Sequence, residues 1–408
     1  METMMQTRGE QMLALRRSRM AAAPPILRGG FRPFFLGGAL WAVVALALWL
    51  SALAGQITIP TTFDALAWHR HEMLFGFVGA VIAGFLLTAI PNWTGRLPIA
   101  GGPLAGLFGL WLAGRLAVLF SVVLGPVIAA VADTGFYLVL ATVAAREVIL
   151  ANNRNVPIVG LLVLLGIANG LDHLAAAGIF VDPALPWQLA VALVTLMISL
   201  IGGRIIPSFT RNWLTKSGVT QGLPGQPNWF DMLAIGLTAL SLLAWIAAPS
   251  GWLPGIILAV AAAAQATRLV RWKGWTTVSD PLVLILHVGY AWVPIGLTLL
   301  AASQFGNVVV QSAAIHALTS GAMGTMILAV MSRATLGHTG RELRAGPTTQ
   351  VIYLLVTLGA ALRVAAPIGL LDYRLGMEAA GVCWLASFVL FVFNYGPILF
   401  APRLGEKN

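Results

Sequence analysis

Charged residues are scarce in this chain. Asp, Glu, Lys and Arg make up 9% of the 408 residues, whereas hydrophobic residues make up 59%. Soluble globular proteins carry about 25% charged residues. No aqueous fold could bury so large an apolar fraction, so the composition predicts an integral membrane protein. Its length then favours one helical bundle over several soluble domains.

Cysteine is nearly absent, and so are the motifs of common soluble enzymes. Cys383 is the one cysteine and lies in an apolar run. A single cysteine excludes an intrachain disulfide. A C-x-x-C-H motif is missing, so any haem would be held without thioether links. The sequence also lacks a phosphate-binding loop, a nucleophile elbow and a dinucleotide fingerprint. The chemistry of this chain must therefore be sought in its few polar side chains.

The net charge of +10 does not indicate nucleic-acid binding. The Lys and Arg residues lie between apolar runs, where membrane topology accounts for them. If the amino terminus is cytoplasmic, nearly all of them fall in cytoplasmic segments, and Arg70 and Arg374 are the two in outer loops. This asymmetry predicts that both termini are cytoplasmic. The expected environment is a lipid bilayer, with no nucleic-acid partner.

Apolar runs long enough to cross a bilayer, about 20 residues each, recur along the chain. The predicted fold is all-α, a polytopic bundle of about twelve transmembrane helices, with a basic tail at 1–30, a membrane domain at 31–402 and a short tail at 403–408. Arg16, Arg17 and Arg19 precede three alanines as in a signal peptide, but no apolar core lies between them, so no cleavage is expected. The runs are 34–54, 70–91, 102–122, 126–148, 157–178, 186–208, 229–248, 252–271, 281–302, 309–332, 348–370 and 376–400.

Four of the six histidines are predicted to lie in the outer leaflet. His69 and His71 fall at the outer end of the second helix, His173 near the outer end of the fifth and His316 on the tenth. Imidazole is a common ligand of haem iron and copper. Residues two apart on a helix point ~200° apart. His69 and His71 can therefore share a metal only if the helix begins between them.

Other polar residues fall beside these histidines. Glu72 is three residues after His69 and is expected to orient its ring or carry protons. Asn169 shares a face with His173, whereas Asp172 is expected to point elsewhere, as a support or part of a proton relay. Thr319, one turn after His316, is expected to fix its ring. The alternative for these polar residues is structural: they cap a helix end at the membrane interface or form an ordinary hydrogen bond to a neighbouring helix.

The remaining candidates lie deeper or on the cytoplasmic side. His287 is predicted in the inner half of the ninth helix, as a ligand of a second site or a structural histidine. His338 falls in a cytoplasmic loop and is not expected to be a ligand. Buried acids offer partners to the arginines of the spans, and such pairs more often hold structure than move protons. The acids are Asp133 and Glu378, and the arginines are Arg115 and Arg363.

The second and tenth helices are similar to each other. Residues 71–96 aligned without gaps on 316–341 match at eight positions, including His71 with His316 and the closing Thr-Gly-Arg. Residues 207–211 end the sixth helix in a weaker version without the histidine. One interpretation is three four-helix units that arose by duplication, with ligands kept on two. Chance likeness between glycine-rich membrane helices is the other.

Several motifs resemble those of the NnrS family, in order from about residue 26 to the last helix. They are 27–35 (LRGGFRPFF), 71–76 (HEMLFG) with 91–95 (PNWTG), 287–292 (HVGYAW), 316–319 (HALT) and 333–341 (RATLGHTGR). The resemblance implies a bacterial inner-membrane protein of twelve helices that carries haem and copper and acts in nitrosative stress and denitrification. The positions that match its histidine motifs are His69, His71, His287, His316 and His338.

The sequence thus predicts a membrane protein that binds non-covalent haem b and copper and handles nitric oxide or its products. The predicted cofactor ligands are His69, His71, His173, His287 and His316, with His69, His71 and His316 on a metal. Glu72, Asp172 and Thr319 are the predicted supporting residues. The alternative is a secondary transporter of a metal or metal–nitrosyl species. Catalysis, the oligomeric state and the electron donor are left open.

Overall fold

The computed structural model describes Ser18 and residues 22–179, 181–306 and 309–405. Within these ranges the chain is helical and contains no strand. The apparent signal-peptide segment and most of the predicted basic tail lie outside the described residues. A bilayer core offers no water to pair with backbone amides, so helices that satisfy their own hydrogen bonds are the expected solution for such an apolar chain.

In these described ranges, twelve helices are long and apolar enough to cross a membrane, which confirms the predicted multi-pass architecture. We name them α1 to α12 in chain order. Their bounds are Phe31–Leu53, Ala65–Thr94, Gly102–Leu119, Pro126–Leu150, Val156–Ala176, Leu185–Lys216, Trp229–Ala247, Trp252–Arg271, Pro281–Ala302, Gln311–His338, Pro347–Ala365 and Tyr373–Phe400.

Local sequence signals set many helix ends. Asp64 precedes α2 and its carboxylate accepts a hydrogen bond from the backbone N–H of Ala67 at 2.9 Å. Asn228 and Asp231 form a reciprocal capping box at the start of α7. Gly95 ends α2 with a φ of 67°, a left-handed conformation that glycine adopts without strain. Each cap satisfies backbone groups that the helix leaves free.

Two helices contain a π-helical stretch, in which the backbone bonds run from residue i to i−5. In α2 it spans Glu72–Phe77, directly after His71. In α10 it spans Ala317–Gly324, directly after His316. The similarity between the two helices thus extends to an uncommon backbone feature that often marks functional sites. The helix α6 is a regular α-helix, and the grouping into three four-helix units stays a prediction.

The helices pack as two compact units. The first unit contains α1 to α5, residues 338–340 and the chain from residue 395 onward. Its core holds many aromatic side chains, among them the buried Trp68, Phe75 and Trp111. Arg32 donates from Nη1 to the carbonyls of Leu399 and Ala401, at 2.8 and 2.7 Å, and so caps the end of α12.

The second unit contains α6 to α11 and α12 up to residue 394. Its buried core includes an ion pair between Arg268 on α8 and Asp231 on α7, at 2.9 Å. The guanidinium also donates to the hydroxyl of Tyr290 at 2.7 Å and to Gln265 and Ser199 at 3.0 Å. This network binds four helices together, and its charges and polar atoms are paired.

The Arg268–Asp231 pair yields a stability prediction. Asp231→Asn should lower the free energy of unfolding by about 3–5 kcal/mol, because the guanidinium then loses its counter-ion inside the protein. Thermal unfolding in detergent measures this change. The control is Glu378→Gln, which breaks an exposed pair with Arg374 and should cost at most about 1 kcal/mol. Equal effects in the two variants would contradict a stabilising role for the buried pair.

Candidate metal centre

The most concentrated polar chemistry in the first unit surrounds His71. This ring is fully buried and lies between two carboxylates. Its Nδ1 is 2.8 Å from Oδ2 of Asp172 on α5, and its Nε2 is 2.8 Å from Oδ2 of Asp133 on α4. Each carboxylate therefore contacts one ring nitrogen, and the two contacts together fix the orientation of the imidazole ring.

Asp133 is the acceptor on which the cluster converges. Its Oδ2 also lies 3.0 Å from Nε2 of His173 and accepts from Nδ2 of Asn169 at 2.7 Å. Asn169 in turn accepts from the hydroxyl of Thr134 at 2.8 Å, which fixes the orientation of its amide. The rings of His71 and His173 have their centroids 4.9 Å apart at 75°. Three side chains thus aim polar atoms at one carboxylate oxygen.

A buried arginine joins Asp133 to Glu72 in the π-helical stretch. Arg115 on α3 donates from Nη2 to the other oxygen of Asp133 and from Nη1 to Oε2 of Glu72, at 2.6 Å for the latter. The same Glu72 oxygen accepts from Nε1 of Trp41 at 2.5 Å. The second oxygen, Oε1, is buried and has no hydrogen-bond partner among the residues that the structure describes. We call the eight residues the polar cluster: Trp41, His71, Glu72, Arg115, Asp133, Asn169, Asp172 and His173.

The charges of the polar cluster do not balance when both imidazoles are neutral. Its described members include three carboxylates, Glu72, Asp133 and Asp172, against the single guanidinium of Arg115. Two negative charges are then left over at a site that is almost fully buried within membrane-spanning helices. Uncompensated charge is costly there. The cluster must therefore take up protons or a divalent cation.

Three of these residues have the geometry of a metal site. The ligand atoms of His71, Asp133 and His173 all lie within 4.8 Å of one another. Two ligand atoms that each lie about 2.1 Å from one ion, with a ligand–ion–ligand angle of about 90°, are about 3 Å apart. The distances from Asp133 Oδ2 to the Nε2 atoms of His71 and His173 are 2.8 and 3.0 Å. Asp172 then accepts a hydrogen bond from Nδ1 of His71, the ring nitrogen that does not face the metal position. In many metal sites a carboxylate orients a histidine ligand in this way. We call these three residues the triad.

The π-helical stretch of α2 is held in place from two neighbouring helices. A π-helical stretch displaces backbone carbonyls from their usual partners. The hydroxyl of Tyr137 on α4 donates to the carbonyl of Phe75 at 2.7 Å, and Nε1 of Trp111 on α3 donates to that of Gly76 at 3.0 Å. These bonds fix α2 against the helices that supply Asp133 and Arg115.

The structure separates His69 from the triad. The α2 helix begins at Ala65, so His69 and His71 both lie on regular helix and point apart, as the angular argument predicts. The His69 ring stacks on Trp49, with centroids 3.9 Å apart. Glu72 bonds to Arg115 and Trp41 instead of the predicted His69. A metal at His69 stays a prediction.

The second unit holds His316 and His287 in separate surroundings. His316 bonds from Nδ1 to the carbonyl of Ser312 at 2.7 Å, while the hydroxyl of Thr319 bonds to Ile315 rather than to this ring. The Nε2 of His287 lies 2.8 Å from the hydroxyl oxygen of Thr210, within hydrogen-bond distance.

Sequence reasoning missed the central role of Asp133. It considered this residue as a partner of Arg115 or Arg363 and not of the histidines, and the structure pairs it with Arg115. It also aimed Asp172 away from the site, whereas the carboxylate reaches His71 on α2. Glu378, the other acid considered, pairs with Arg374 four residues earlier rather than with Arg363.

The fold and the cluster together define a multi-pass membrane protein with a buried histidine–carboxylate centre. A family model described as NnrS protein matches residues 25–403, nearly the whole chain. The chain belongs to the NnrS family, as its motifs predicted. No curated protein matches it.

The Tyr137 hydroxyl provides a test of the π-helical stretch. Tyr137→Phe should lower the free energy of unfolding by about 1–3 kcal/mol, because the buried carbonyl of Phe75 loses its donor. Thermal unfolding in detergent reports the change. Tyr373→Phe, at an exposed tyrosine, is the matched control and should be neutral. If both variants unfold like the wild type, the bond does not stabilise the stretch.

Proposed function

We propose that this protein binds copper at the triad and haem at a separate histidine, and that it binds or processes nitric oxide at the membrane. The observation that carries the proposal is the clamp on His71, whose two ring nitrogens face Asp133 and Asp172 at 2.8 Å each. Membership in the NnrS family supports the link to nitric oxide. An inner-membrane location with both termini cytoplasmic belongs to the same proposal.

The donor set of the triad suits copper. Two imidazoles and one carboxylate are borderline to hard ligands, which Cu(II) accepts along with other first-row metals. One divalent ion would also offset the two negative charges left in the polar cluster. Three protein ligands leave a coordination position for a small molecule. Bound copper would supply that position to nitric oxide, which partitions into lipid and reaches a buried site without a pore.

Haem does not fit the triad. Asp133 Oδ2 lies 2.8 Å from His71 Nε2, a separation that admits an ion but not a macrocycle. His316 fits better, because its Nδ1 is held by the Ser312 carbonyl and its Nε2 has no hydrogen-bond partner in the described part of the chain. A backbone bond to one ring nitrogen commonly sets up the other for a metal.

The residues around the triad have separate tasks in this account. Asp172 holds Nδ1–H of His71, which leaves the lone pair of Nε2 toward the metal position. Asn169 and Arg115 hold the two oxygens of Asp133. Glu72 Oε1, buried and unpartnered, is the place for a proton taken up or released when the charge at the triad changes. Tightly packed helices exclude bulk water from these groups.

A secondary transporter is the second candidate. Buried carboxylates within spans are typical of proton relays in transporters, and the unpartnered oxygen of Glu72 favours this reading. Net movement of metal or protons into proteoliposomes would support it. A stable complement of copper and haem without transport favours the resident-cofactor proposal.

The test compares the two histidines of the triad with His69, which lies two residues before His71 and outside the triad. Purified wild type should carry about one copper per chain and show a spectral shift on addition of nitric oxide. His71→Ala and His173→Ala should each lower copper affinity by at least 10-fold, because each removes a direct ligand. His69→Ala should retain copper, since its ring stacks on Trp49 outside the triad. Metal analysis of the detergent-purified proteins measures this.

Haem content separates the two assignments. His316→Ala should lose haem and keep copper. His71→Ala and His173→Ala should lose copper and keep haem. Full copper in both triad variants would refute the copper site, and full haem in His316→Ala would refute the haem ligand. Native-like helicity of each variant, measured by circular dichroism, shows that loss of metal is not loss of fold.

A further inference from the structure

Arg363 on α11 is a cation in the last turn of a membrane-spanning helix, and it has no acidic partner among the described residues. Its side chain is half-buried, and its Nη1 donates to the thioether of Met377 on α12 at 2.9 Å. In the part of the chain that the structure describes, no carboxylate lies within 4 Å of its guanidinium. A thioether is a weak acceptor and brings no charge. The positive charge is therefore left without a counter-ion.

The first unit shows what such an arginine ordinarily does. Arg115 also lies on the helix that follows a π-helical stretch, and it is paired with both Glu72 and Asp133. Arg363 occupies the comparable place on α11, which packs against the π-helical stretch of α10. The two stretches follow matching histidines, His71 and His316. The second unit thus keeps the histidine and the guanidinium but not the acids.

Arg363 and His316 border the same apolar cluster. Val364 packs with Ala313 and Ala317, which are sequence neighbours of His316. Half-buried side chains surround this cluster: Trp292, Leu299, Val309 and Ile368. His316 is the residue before Ala317 of this cluster, and Arg363 is the residue before Val364. An apolar surround strengthens the attraction of a guanidinium for an anion, because little water competes there.

We propose that Arg363, on the helix that packs against the π-helical stretch after His316, forms an anion site that accepts a carboxylate or a small oxyanion. The guanidinium supplies charge and a planar pair of donors, which match two oxygens of one group. The anion provides the negative charge that Glu72 and Asp133 provide to Arg115 in the first unit.

Two sources carry this chemistry. A free oxyanion such as nitrite is one, and it does not depend on the proposed function. A carboxylate side chain of the bound haem is the other, and this source rests on the assignment of haem to His316. Copper at the triad is independent of both, so copper content reports separately on the proposed function.

The experiment uses the detergent-purified full chain and isothermal titration with sodium nitrite and with sodium acetate. Arg363→Gln should weaken binding by about 10- to 100-fold, the usual effect of losing a hydrogen-bonded charge. Arg363→Lys should fall between this variant and wild type, because it keeps the charge but not the planar donors. The control is Arg374→Gln, since this exposed arginine already has Glu378 as a partner.

Haem per chain is measured in the same preparations. Loss of nitrite and acetate binding in Arg363→Gln identifies a free oxyanion as the ligand. Loss of haem in Arg363→Gln with little small-anion binding in the wild type identifies the haem carboxylate. The proposal is overturned if Arg363→Gln, with wild-type helicity, leaves both small-anion binding and haem content unchanged.

Discussion

The need to neutralise charge inside a membrane bundle governs the first unit of this protein. Glu72, Asp133 and Asp172 are buried together, and Arg115 offsets only part of their charge. Removing Arg115 would leave Glu72 and Asp133 unpaired where solvation is poor, and loss of one partner of a buried ion pair costs about 3–5 kcal/mol. The arrangement persists only if something positive completes it. The imidazoles of His71 and His173 are placed to take protons or to hold a metal.

The backbone of α2 serves the same requirement. Its π-helical stretch begins immediately after His71, and side chains from α3 and α4 hold two of its carbonyls. Those two helices also supply Arg115 and Asp133. The geometry of the centre is therefore coupled to helix packing, and a small change in the register of α2 would disturb both. Rigid support of this kind is what a metal site needs to keep its ligand geometry.

The fold was largely predictable from the sequence because hydropathy and length determine membrane-spanning helices almost alone. The predicted run 281–302 and the helix Pro281–Ala302 coincide. The α6 helix is longer than its run of 186–208, since Leu185–Lys216 extends past the apolar stretch into polar residues. Hydropathy reports where a helix is buried in lipid and not where its hydrogen bonds end.

The candidate site was only partly predictable. Hydropathy predicts the depth of each residue, and this argument grouped His69, His71, His173 and His316. The rings of His71 and His173 contact each other, whereas His69 stacks on Trp49. Hydropathy does not give the direction in which a helix faces its neighbours, so Asp133 was considered as a partner of Arg115 or Arg363 and not of the histidines. The angular argument for His69 and His71 needed one helix only, and it was right. Asp172 was expected as a supporting residue on a face other than that of His173. Its carboxylate lies against His71, because neighbours on one helix, about 100° apart, can both border a pocket between helices.

The central claim is that His71, Asp133 and His173 hold one metal ion. X-ray absorption spectroscopy of the copper-loaded protein tests it most directly. The account predicts two imidazole nitrogens and an oxygen in the first shell, with about 2.0 Å between metal and nitrogen, and loss of one imidazole in His173→Ala. A sulfur-rich first shell, or a spectrum that His173→Ala leaves unchanged, would contradict the claim.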